Sequence, residues 1–378
     1  MGHSSTSMSG TCDKAVGRGV DARPLFSIIM PCYRVAAYLP SAIACIRAQT
    51  CADWELICVD DASPDNVAEL VEHAAAEDPR IRLVRHKVNH GLADARNTGI
   101  SAARGRYVWM PDPDDTYAPD LLERCAEKIR SQADAEARTD VVVFGLTEEL
   151  FDADGSVCGA HDIVPALDGA FSGSDAHAQV LDLEDRTLLG YAWNKVYRAE
   201  VLDGIAFETV PLIEDIVFNV AVFNRVENLA LVARPLYRYE KRVAANLTAK
   251  FVPEYYEVHR RRIDDVYRQQ VSWGLDSADV RSRLGARYAR YILSALERNC
   301  DARAGLNHAG RVTFCRSVMD DDLFGALVLS ARPRGGAARV VVGLLKTRSA
   351  LMWCAVGRII HLVRSRAGLA YRKATFSR

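Results

Sequence analysis

Short apolar runs alternate with amphipathic stretches between Phe26 and Gly145. The apolar runs have the length of buried strands, and the stretches between them repeat apolar residues at helical spacing. Predicted strands cover Phe26–Met30, Trp54–Val59, Ile81–Val84, Tyr107–Met110 and Val141–Gly145. Predicted helices cover Tyr38–Ala48, Val67–Ala76, Leu92–Ala103 and Asp120–Arg130. This alternation predicts an α/β fold, with a mostly parallel sheet flanked by helices.

The pattern weakens beyond residue 150. Gly, Asp and Ser are frequent in residues 151–190, which predicts a long irregular excursion over the surface. A helix at Glu214–Phe223, a strand at Leu229–Val232 and a charged amphipathic helical region at Tyr255–Arg298 follow. The C-terminal region is therefore predicted to be mainly helical.

Composition restricts the class of protein. The 378 residues are 49% hydrophobic, which is enough to bury a large core. The ten cysteines form no C-x-x-C pair and the histidines do not cluster, so neither a zinc site nor a disulfide framework is predicted, and a reducing cytosol is expected. The N-terminus lacks the apolar stretch of a signal peptide and is expected to be a disordered leader.

Acidic or unusual loops follow three of the predicted parallel strands. They are Pro31–Arg34 after the first strand, Asp60–Ser63 after the second and Asp112–Asp115 after the fourth. Because the carboxyl ends of parallel strands meet at one edge, where such sheets bind ligands, these loops are expected to converge. The D-x-D spacing of the last loop suits Mg²⁺ or Mn²⁺ together with substrate phosphates. No Gly-rich phosphate loop occurs, so a metal would neutralise a diphosphate instead.

A purely structural interpretation of this loop was also considered. Asp in a Pro-rich segment commonly forms turns, and Asp115 or Asp120 could cap the following helix. Two acidic strand ends on one edge favour the metal site. Tyr33 lies just past a strand end, where it could stack on a nucleobase or pack against the protein.

Three segments resemble the inverting glycosyltransferases of family 2, which have the GT-A fold. SIIMPCYRVAAYLPSAIACIRAQTCADWELICVDDASPDN is similar to the nucleotide-binding opening of that family. NHGLADARNTGISAARGRYVWMPDPDDTYAPDLL is similar to its second block, which ends in the D-x-D motif. WNKVYRAEVLDGIAFETVPLIEDIVFN is similar to its acceptor-side segment. The resemblance spans roughly residues 26–248, without 151–190.

For the nucleobase, the resemblance implies a pocket lined by Pro31 and Tyr33. It implies that Asp60 or Asp61 accepts a hydrogen bond from the base, with Asp61 preferred for a uracil N–H. The chain departs from the family pattern at two positions of these loops. Arg34 stands where family members usually have Asn, and Ala62 stands where they usually have Gly.

For the diphosphate, the resemblance implies that Asp112 contacts the ribose or the metal region and that Asp114 is the ligand of Mg²⁺ or Mn²⁺. For the acceptor side, it implies that Asp215 is the general base. The residues given as further possible donor or acceptor contacts are Asp115, Trp193, Lys195, Glu214 and Arg242.

The function implied by the resemblance is inverting transfer of a sugar from a nucleotide diphosphate sugar, preferably a UDP-sugar. The acceptor would be a hydroxyl of a glycan or a polyprenyl-linked glycan in bacterial cell-envelope or surface polysaccharide synthesis. Two alternatives differ in class. A sugar nucleotidyltransferase would normally carry a Gly-rich N-terminal loop, which is absent, and an inactive nucleotide-sugar-binding membrane protein would bind UDP without transfer.

The C-terminal 47 residues are strongly basic. Residues 332–378 hold eleven Lys and Arg and no Asp or Glu, although the whole chain has a formal charge of −1. Charges interrupt the apolar residues of Val340–Arg364, so a basic amphipathic helix on an anionic membrane surface is favoured over a spanning helix. Packing on the catalytic domain or a dimer partner is the alternative. Nucleic acid is disfavoured because stacking aromatics are not interleaved.

These inferences give a predicted organisation for the whole chain and a cytoplasmic enzyme held peripherally on the inner face of the cell membrane. The predicted parts are a disordered leader at 1–24, a GT-A domain at 25–250 with a nucleotide-binding half at 25–150 and an acceptor half at 151–250, a helical extension at 251–331 and the basic tail at 332–378.

Overall fold

The computed structural model describes residues 23–131, 138–152, 155–242 and 251–376, with side chains up to residue 366. Apart from Arg23 and Pro24, the predicted leader lies outside the described residues. The chain divides into two compact units. The sheet unit contains Met1–Phe171, Ala192–Ala206 and Glu227–Lys241, and the helical unit contains Ser172–Tyr191, Phe207–Val226 and Arg242–Arg378.

The described residues form ten strands in one sheet, which carries helices α1 to α4 of the sheet unit. The strands are β1 Phe26–Cys32, β2 Trp54–Asp60, β3 Ile81–Arg85, β4 Tyr107–Trp109, β5 Thr116–Tyr117, β6 Val141–Phe151, β7 Val157–Ile163, β8 Gly169–Ser172, β9 Lys195–Arg198 and β10 Asn228–Arg242. The helices are α1 Leu39–Arg47, α2 Val67–Glu77, α3 Leu92–Ala102 and α4 Leu121–Ser131.

The first half of the sheet is parallel. Strands β3, β2, β1 and β4 lie side by side in that order, and all three pairings are parallel. Every residue of β1 and β2 is buried, which is typical of parallel strands covered on both faces. The α/β sheet expected from the alternating pattern is confirmed, and its parallel strand ends bring the first two acidic loops together.

The second half of the sheet is antiparallel, which the sequence pattern did not predict. Strand β9 lies between β4 and β6 and is antiparallel to both. The run beginning at Val141 was expected to continue the parallel series. Strand β6 does run in the same direction as β4, because β9 is antiparallel to both. What the pattern did not predict is the insertion of β9 between them, since β9 comes from more than 40 residues further along the chain.

Residues 151–190 are ordered elements rather than an irregular excursion. They include β7, β8 and helix α5 at Ser174–Asp185, while residues 153–154 lie outside the described part. Most residues of β7 are exposed and it pairs with β6. A strand that is largely exposed on both faces has no buried side to impose an alternating pattern, so its sequence resembles that of a loop.

The helical unit is built from α5 and the six helices that follow it. They are α6 Glu214–Phe223, α7 Tyr255–Ser272, α8 Ala278–Arg298, α9 His308–Met319, α10 Gly336–Lys346 and α11 Ala350–Phe376. The helical region predicted at 255–298 is divided into α7 and α8 near Gly274, whose φ of +72° favours glycine. Segments 243–250, which include part of the predicted acceptor half, lie outside the described residues.

A buried ion-pair network joins three helices of this unit. The carboxylate of Glu184 on α5 is fully buried and accepts from Arg262 of α7 and Arg287 of α8. The Glu184 Oε1 distances to the two guanidinium groups are 2.9 and 2.8 Å. A buried carboxylate requires such partners. The network explains why α5, which precedes β9 in the chain, belongs to the helical unit.

The basic tail packs on the helical unit by one side. Helices α10 and α11 contact α8, and α11 also contacts α9. Leu345 and Trp353 are fully buried in these contacts. Within the described residues no helix is long and apolar enough to cross a bilayer. The inner face of the tail is therefore packed on α8 and α9, which belong to the predicted helical extension and not to the predicted catalytic domain.

Two residues at the strand ends have left-handed backbone conformations. Arg34 has φ +57° and Ala62 has φ +53°. These are the positions where the family resemblance led us to expect Asn and Gly, the residue types that adopt this conformation most easily. The Arg34 amide donates to the Ser63 hydroxyl at 2.7 Å, so the two strained loops hold each other.

Replacing Ala62 by glycine is expected to stabilise the protein. Glycine removes a steric cost of about 1 kcal/mol or more at positive φ, and its greater freedom in the unfolded chain takes back part of that gain. We expect a net increase of about 0.5 kcal/mol in the free energy of unfolding, measured by urea denaturation. Ala37→Gly, in the loop between β1 and α1 and without positive φ, is the control and should destabilise. An equal loss of stability in both variants would contradict backbone strain at Ala62.

Candidate active site

The three carboxylates that follow β4 have three different surroundings. Asp112 is partly buried, Asp114 is exposed and Asp115 is buried. Like charges this close oppose one another's ionisation unless each has its own means of neutralisation. The loop that carries them therefore depends on groups supplied by other elements.

A buried arginine neutralises the first carboxylate. Arg96, in the middle of α3, is 1% exposed, and its guanidinium lies 3.1 Å from Asp112 Oδ1. Small residues surround it on the helix, since Ala93, Ala95 and Gly99 are also buried. The sequence analysis did not single out Arg96. An arginine on the small-residue face of a helix was the signal available, because a buried arginine requires an anion.

The third carboxyl, Asp115, is held inside the protein. Its Oδ2 lies 2.7 Å from the Tyr237 hydroxyl, and its Oδ1 accepts from the Glu240 amide at 3.0 Å. Burial raises the pKa of Asp115 well above its usual range, and the nearby charges of Asp114 and Asp112 raise it further. Burial and the neighbouring carboxylates therefore oppose ionisation of Asp115, and its two hydrogen bonds fix the loop to β10.

Two tyrosines clamp the backbone of the same loop. The Tyr117 hydroxyl donates to the Asp112 carbonyl at 2.6 Å, and the Asp112 amide donates to the Tyr237 hydroxyl at 3.1 Å. The two tyrosines face each other across the β5–β10 pairing. Trp193 stacks on Tyr237 with ring centroids 4.2 Å apart. Neither tyrosine was among the predicted site residues. Tyr237 is remote from the loop in sequence, and Tyr117 looks like a core residue.

The carboxylate of Asp61 anchors the loop that leads into α3. It accepts four hydrogen bonds, from the His86 ring, the Asn89 side chain and the amides of His90 and Gly91. Burial alone would raise the pKa of Asp61, but the bonds from His90, His86 and Gly91 outweigh it and lower the pKa. Four donors fill the usual acceptor capacity of a carboxylate. A nucleobase N–H can reach Asp61 only by sharing or replacing one of them.

Asp60 lies at the end of β2 and is buried. Its Oδ1 accepts from the Ser63 amide at 2.8 Å, and its Oδ2 lies 3.4 Å from the guanidinium of Arg85. The Arg85 side chain is largely exposed, so this contact is open to solvent on one side. Asp60 thus carries fewer internal hydrogen bonds than Asp61.

Pro31 and Tyr33 lie where the nucleobase pocket was predicted. Pro31 is a buried residue of β1, and the Asp61 amide donates to the carbonyl of the next residue, Cys32, at 3.0 Å. The Tyr33 ring is 40% exposed, and the Arg34 guanidinium lies 5.3 Å from its centroid. An exposed ring at this strand end offers a surface on which a planar base could stack.

The remaining predicted contacts are placed differently. Trp193 and Lys195 are buried in the sheet unit, where the Lys195 amine donates to the Asn194 side chain at 2.8 Å. Both residues support the sheet from within. Asp215 and Glu214 are the partly buried first residues of α6 in the helical unit, where negative charge favours the helix dipole. Arg242 ends β10.

The carboxylates of the D-x-D loop supply only part of the ligands that a hard divalent cation requires. The described residues contain no cluster of three or more His, Cys, Asp or Glu side chains that could hold a metal by themselves. Asp112 is engaged by Arg96 and Asp115 is buried, which leaves Asp114 as the exposed carboxylate. Mg²⁺ is commonly bound by one or two carboxylates plus substrate phosphates. Oxygen donors of this kind fit Mg²⁺ or Mn²⁺ only together with a phosphate ligand.

The protonation of Asp115 can be tested by stability. Because its pKa in the folded protein is raised, its contribution is full below the unfolded value of about 3.9 and is lost as the pH rises through the folded value. In Asp115→Asn the side-chain oxygen can still accept from the Glu240 amide, and the amide nitrogen donates to the Tyr237 oxygen, as a protonated carboxyl would. Near pH 7.5 this variant should therefore unfold no more easily than the parent. Asp115→Ala should cost about 1–3 kcal/mol. Urea denaturation at several pH values measures this, and equal damage in both variants would argue against a protonated Asp115.

Comparisons with known proteins bear on the fold and family. Residues 27–145 match the model of the family described as Glycosyl transferase family 2. An uncharacterized glycosyltransferase, EpsJ of Bacillus subtilis (strain 168), is 31% identical over 223 residues, 58% of this chain and 61% of EpsJ. The succinoglycan biosynthesis protein ExoO of Rhizobium meliloti (strain 1021) is 40% identical over 109 residues, 29% of this chain and 31% of ExoO. The chain therefore spans less than two thirds of either relative.

A solved structure resembles nearly the whole chain. The structure of residues 1–349 of S. aureus TarS in complex with UDP-GlcNAc has a TM-score of 0.60 and 17% sequence identity, and covers 91% of this chain and 92% of TarS 1–349. At this identity the likeness concerns the fold. The sheet order, the acidic strand ends and the family match agree. Residues 27–145 match glycosyltransferase family 2, and the chain has the GT-A fold.

Proposed function

We propose that the protein transfers a sugar from a nucleotide diphosphate sugar, preferably a UDP-sugar, to a hydroxyl of a glycan or polyprenyl-linked acceptor with inversion. The process it serves is cell-envelope polysaccharide synthesis. The names of EpsJ and ExoO support a role in that chemistry, and the UDP-GlcNAc bound to TarS supports a UDP-sugar donor. The family match supports transfer over the nucleotidyltransferase alternative.

One observation carries the proposal most strongly, namely the exposed Asp114 on a loop whose other two carboxyl groups are held by other elements. Arg96 engages Asp112, and Asp115 is buried against the Tyr237 hydroxyl and the Glu240 amide. The loop therefore presents a single solvent-facing carboxylate on a rigid support. That arrangement suits a metal shared with a diphosphate, since the protein adds one negative ligand while the phosphates add the others.

The donor site would use the sheet unit alone. Tyr33 offers its exposed face to the nucleobase, and Asp60 or Asp61 accepts from the base. Asp60 needs the smaller rearrangement, because its side chain accepts fewer hydrogen bonds than the four that Asp61 accepts. Arg96, held beside Asp112, fixes the position of the loop under the ribose and diphosphate.

When bound, Mg²⁺ or Mn²⁺ would neutralise the charge that develops on the departing nucleoside diphosphate. Asp114 would hold it through a carboxylate oxygen. Asp215 would accept the proton of the attacking acceptor hydroxyl, which leaves the oxygen free to attack the anomeric carbon opposite the diphosphate. This assignment of Asp215 rests on the resemblance of residues 193–219 to the acceptor-side segment of the family.

A peripheral position on the inner face of the cell membrane completes the proposal. The basic residues of 332–378 would attract the tail to anionic lipid, and a polyprenyl-linked acceptor would be presented at that surface. Residues 367–378 contribute to this charge, although their side chains lie outside the described part.

Donor binding is expected to require both a divalent ion and Asp114. We expect Asp114→Ala to weaken UDP binding in the presence of Mn²⁺ by at least about tenfold, or about 1.4 kcal/mol, measured by calorimetric titration. Asp120→Ala removes the same charge from a residue paired with Arg124 and is the matched control, expected to bind normally. Metal-independent UDP binding by the parent, or equal losses in both variants, would contradict the role of Asp114.

Asp215→Asn is expected to abolish transfer while UDP still binds. A positioned base typically contributes 10²- to 10⁴-fold to the rate, so turnover should fall by that range. Glu257→Gln is the matched control, because Glu257 is also an acid in the first turn of a helix of the same unit. Loss of a helix-dipole interaction would affect both variants alike. Retained turnover in Asp215→Asn would rule out the base role.

A further inference from the structure

Helix α11 has a packed face and an opposite face that remains uncovered within the described structure. On the packed face, Trp353 and Cys354 are buried, and a Cβ at Gly357 would lie 2.6 Å from the Leu296 carbonyl of α8. On the same side, His361 and Arg364 lie 3.1 and 2.8 Å from the carboxylate of Glu297. The helix is therefore fixed in rotation about its own axis.

The opposite face is apolar and open to solvent. At 100° per residue, five large apolar side chains fall within about 120° of arc and point away from the packed side. Each is between 45% and 67% exposed. We call this set the outer stripe; its members are Leu351, Met352, Ile359, Leu362 and Val363.

Exposure of this kind is concentrated in the tail. Fifteen large hydrophobic residues are exposed in the described structure, and six of them lie between Val340 and Val363. Single exposed apolar residues are ordinary on protein surfaces, whereas a continuous group marks a surface that binds something. Helix α11, like every other helix among the described residues, is not long and apolar enough to cross a bilayer.

The charges around the stripe identify the chemistry of the binding partner. Residues 332–366 carry eight Lys and Arg and no Asp or Glu. Arg358 and Arg366 are exposed on α11 itself, close in sequence to Ile359 and Val363. A second copy of this chain would meet the same positive charge across the interface, which is unfavourable. An anionic lipid surface complements the basic residues and accepts apolar side chains to a depth of 5–10 Å.

We propose that the outer stripe of α11 is a membrane-docking surface that inserts into an anionic bilayer while the inner face stays packed on α8 and α9. The tail can therefore be packed on the helical unit and bound to the membrane at the same time. Because α11 is already held by the helical unit, docking needs no release of the tail and fixes the orientation of that unit to the bilayer plane. The inference deepens the proposed peripheral attachment and is independent of the donor chemistry.

The test compares full-length variants in flotation with vesicles. Ile359→Gln combined with Leu362→Gln replaces two of the five apolar residues of the outer stripe with a good helix former, so α11 should remain folded. We expect the parent to bind vesicles of phosphatidylglycerol and phosphatidylcholine, and the double variant to lose at least tenfold in partitioning. Val157→Gln combined with Leu167→Gln alters two exposed apolar residues of the sheet unit and is the matched control, expected to bind as the parent does.

The choice of lipid and salt separates the electrostatic attraction of the basic residues from the insertion of the apolar stripe. Vesicles of phosphatidylcholine alone, or high salt, should weaken binding because the basic residues then lack anionic partners. Arg358→Gln with Arg366→Gln should lower binding to anionic vesicles without changing the circular dichroism of the protein.

Several results would overturn the inference. Unchanged flotation of the Ile359→Gln, Leu362→Gln variant would exclude the stripe, and absence of flotation by the parent would exclude the membrane. A parent dimer that this variant converts to monomer, seen by light scattering, would assign the stripe to a second copy instead. UDP titration of the same variants keeps the outcomes distinct, since failure of docking leaves UDP binding intact and failure of the donor proposal leaves flotation intact.

Discussion

The candidate site depends on keeping three adjacent carboxyl groups in one short loop without leaving uncompensated charge. Each group is treated differently: Arg96 pairs with Asp112, burial favours protonation of Asp115, and Asp114 faces solvent. A buried ionic group without a partner would cost several kcal/mol, so the loop could not hold this shape alone. The surrounding elements are therefore required before the loop can present one carboxylate outward.

Helix α3 connects the acidic loops that the sheet brings to one edge. Its preceding loop is anchored by four hydrogen bonds to Asp61 after β2, and its Arg96 reaches Asp112 after β4. The β5–β10 pair adds the two tyrosines that hold the loop backbone. Movement of α3 and its preceding loop would consequently shift the surroundings of Asp61 and Asp112 together. The sheet unit contains this whole arrangement.

The strand-end loops also show what the family resemblance could and could not contribute. It drew attention to Arg34 and Ala62 as departures, and both have positive φ in the structure. The departures are thus in residue type, while the backbone conformation that favours Asn or Gly is present. The resemblance also directed attention to Trp193 and Lys195 as contacts; both are buried, with Trp193 stacked on Tyr237, and their contact with donor or acceptor stays a prediction.

Local pattern alone determined the elements from Phe26 to Ser131 except the two-residue strand β5, and α6 at Glu214–Phe223, because apolar periodicity is set by neighbours within a few residues. It also placed the acidic residues at strand ends. Tertiary structure decided the antiparallel insertion of β9, the order in residues 151–190 and the partners of each carboxylate. Those outcomes depend on contacts such as Tyr237 with Asp115, which lie 122 residues apart in the chain. The same holds for α11. Its amphipathic character was predicted from the sequence, but packing on α8 decided which of its apolar residues remain exposed to solvent.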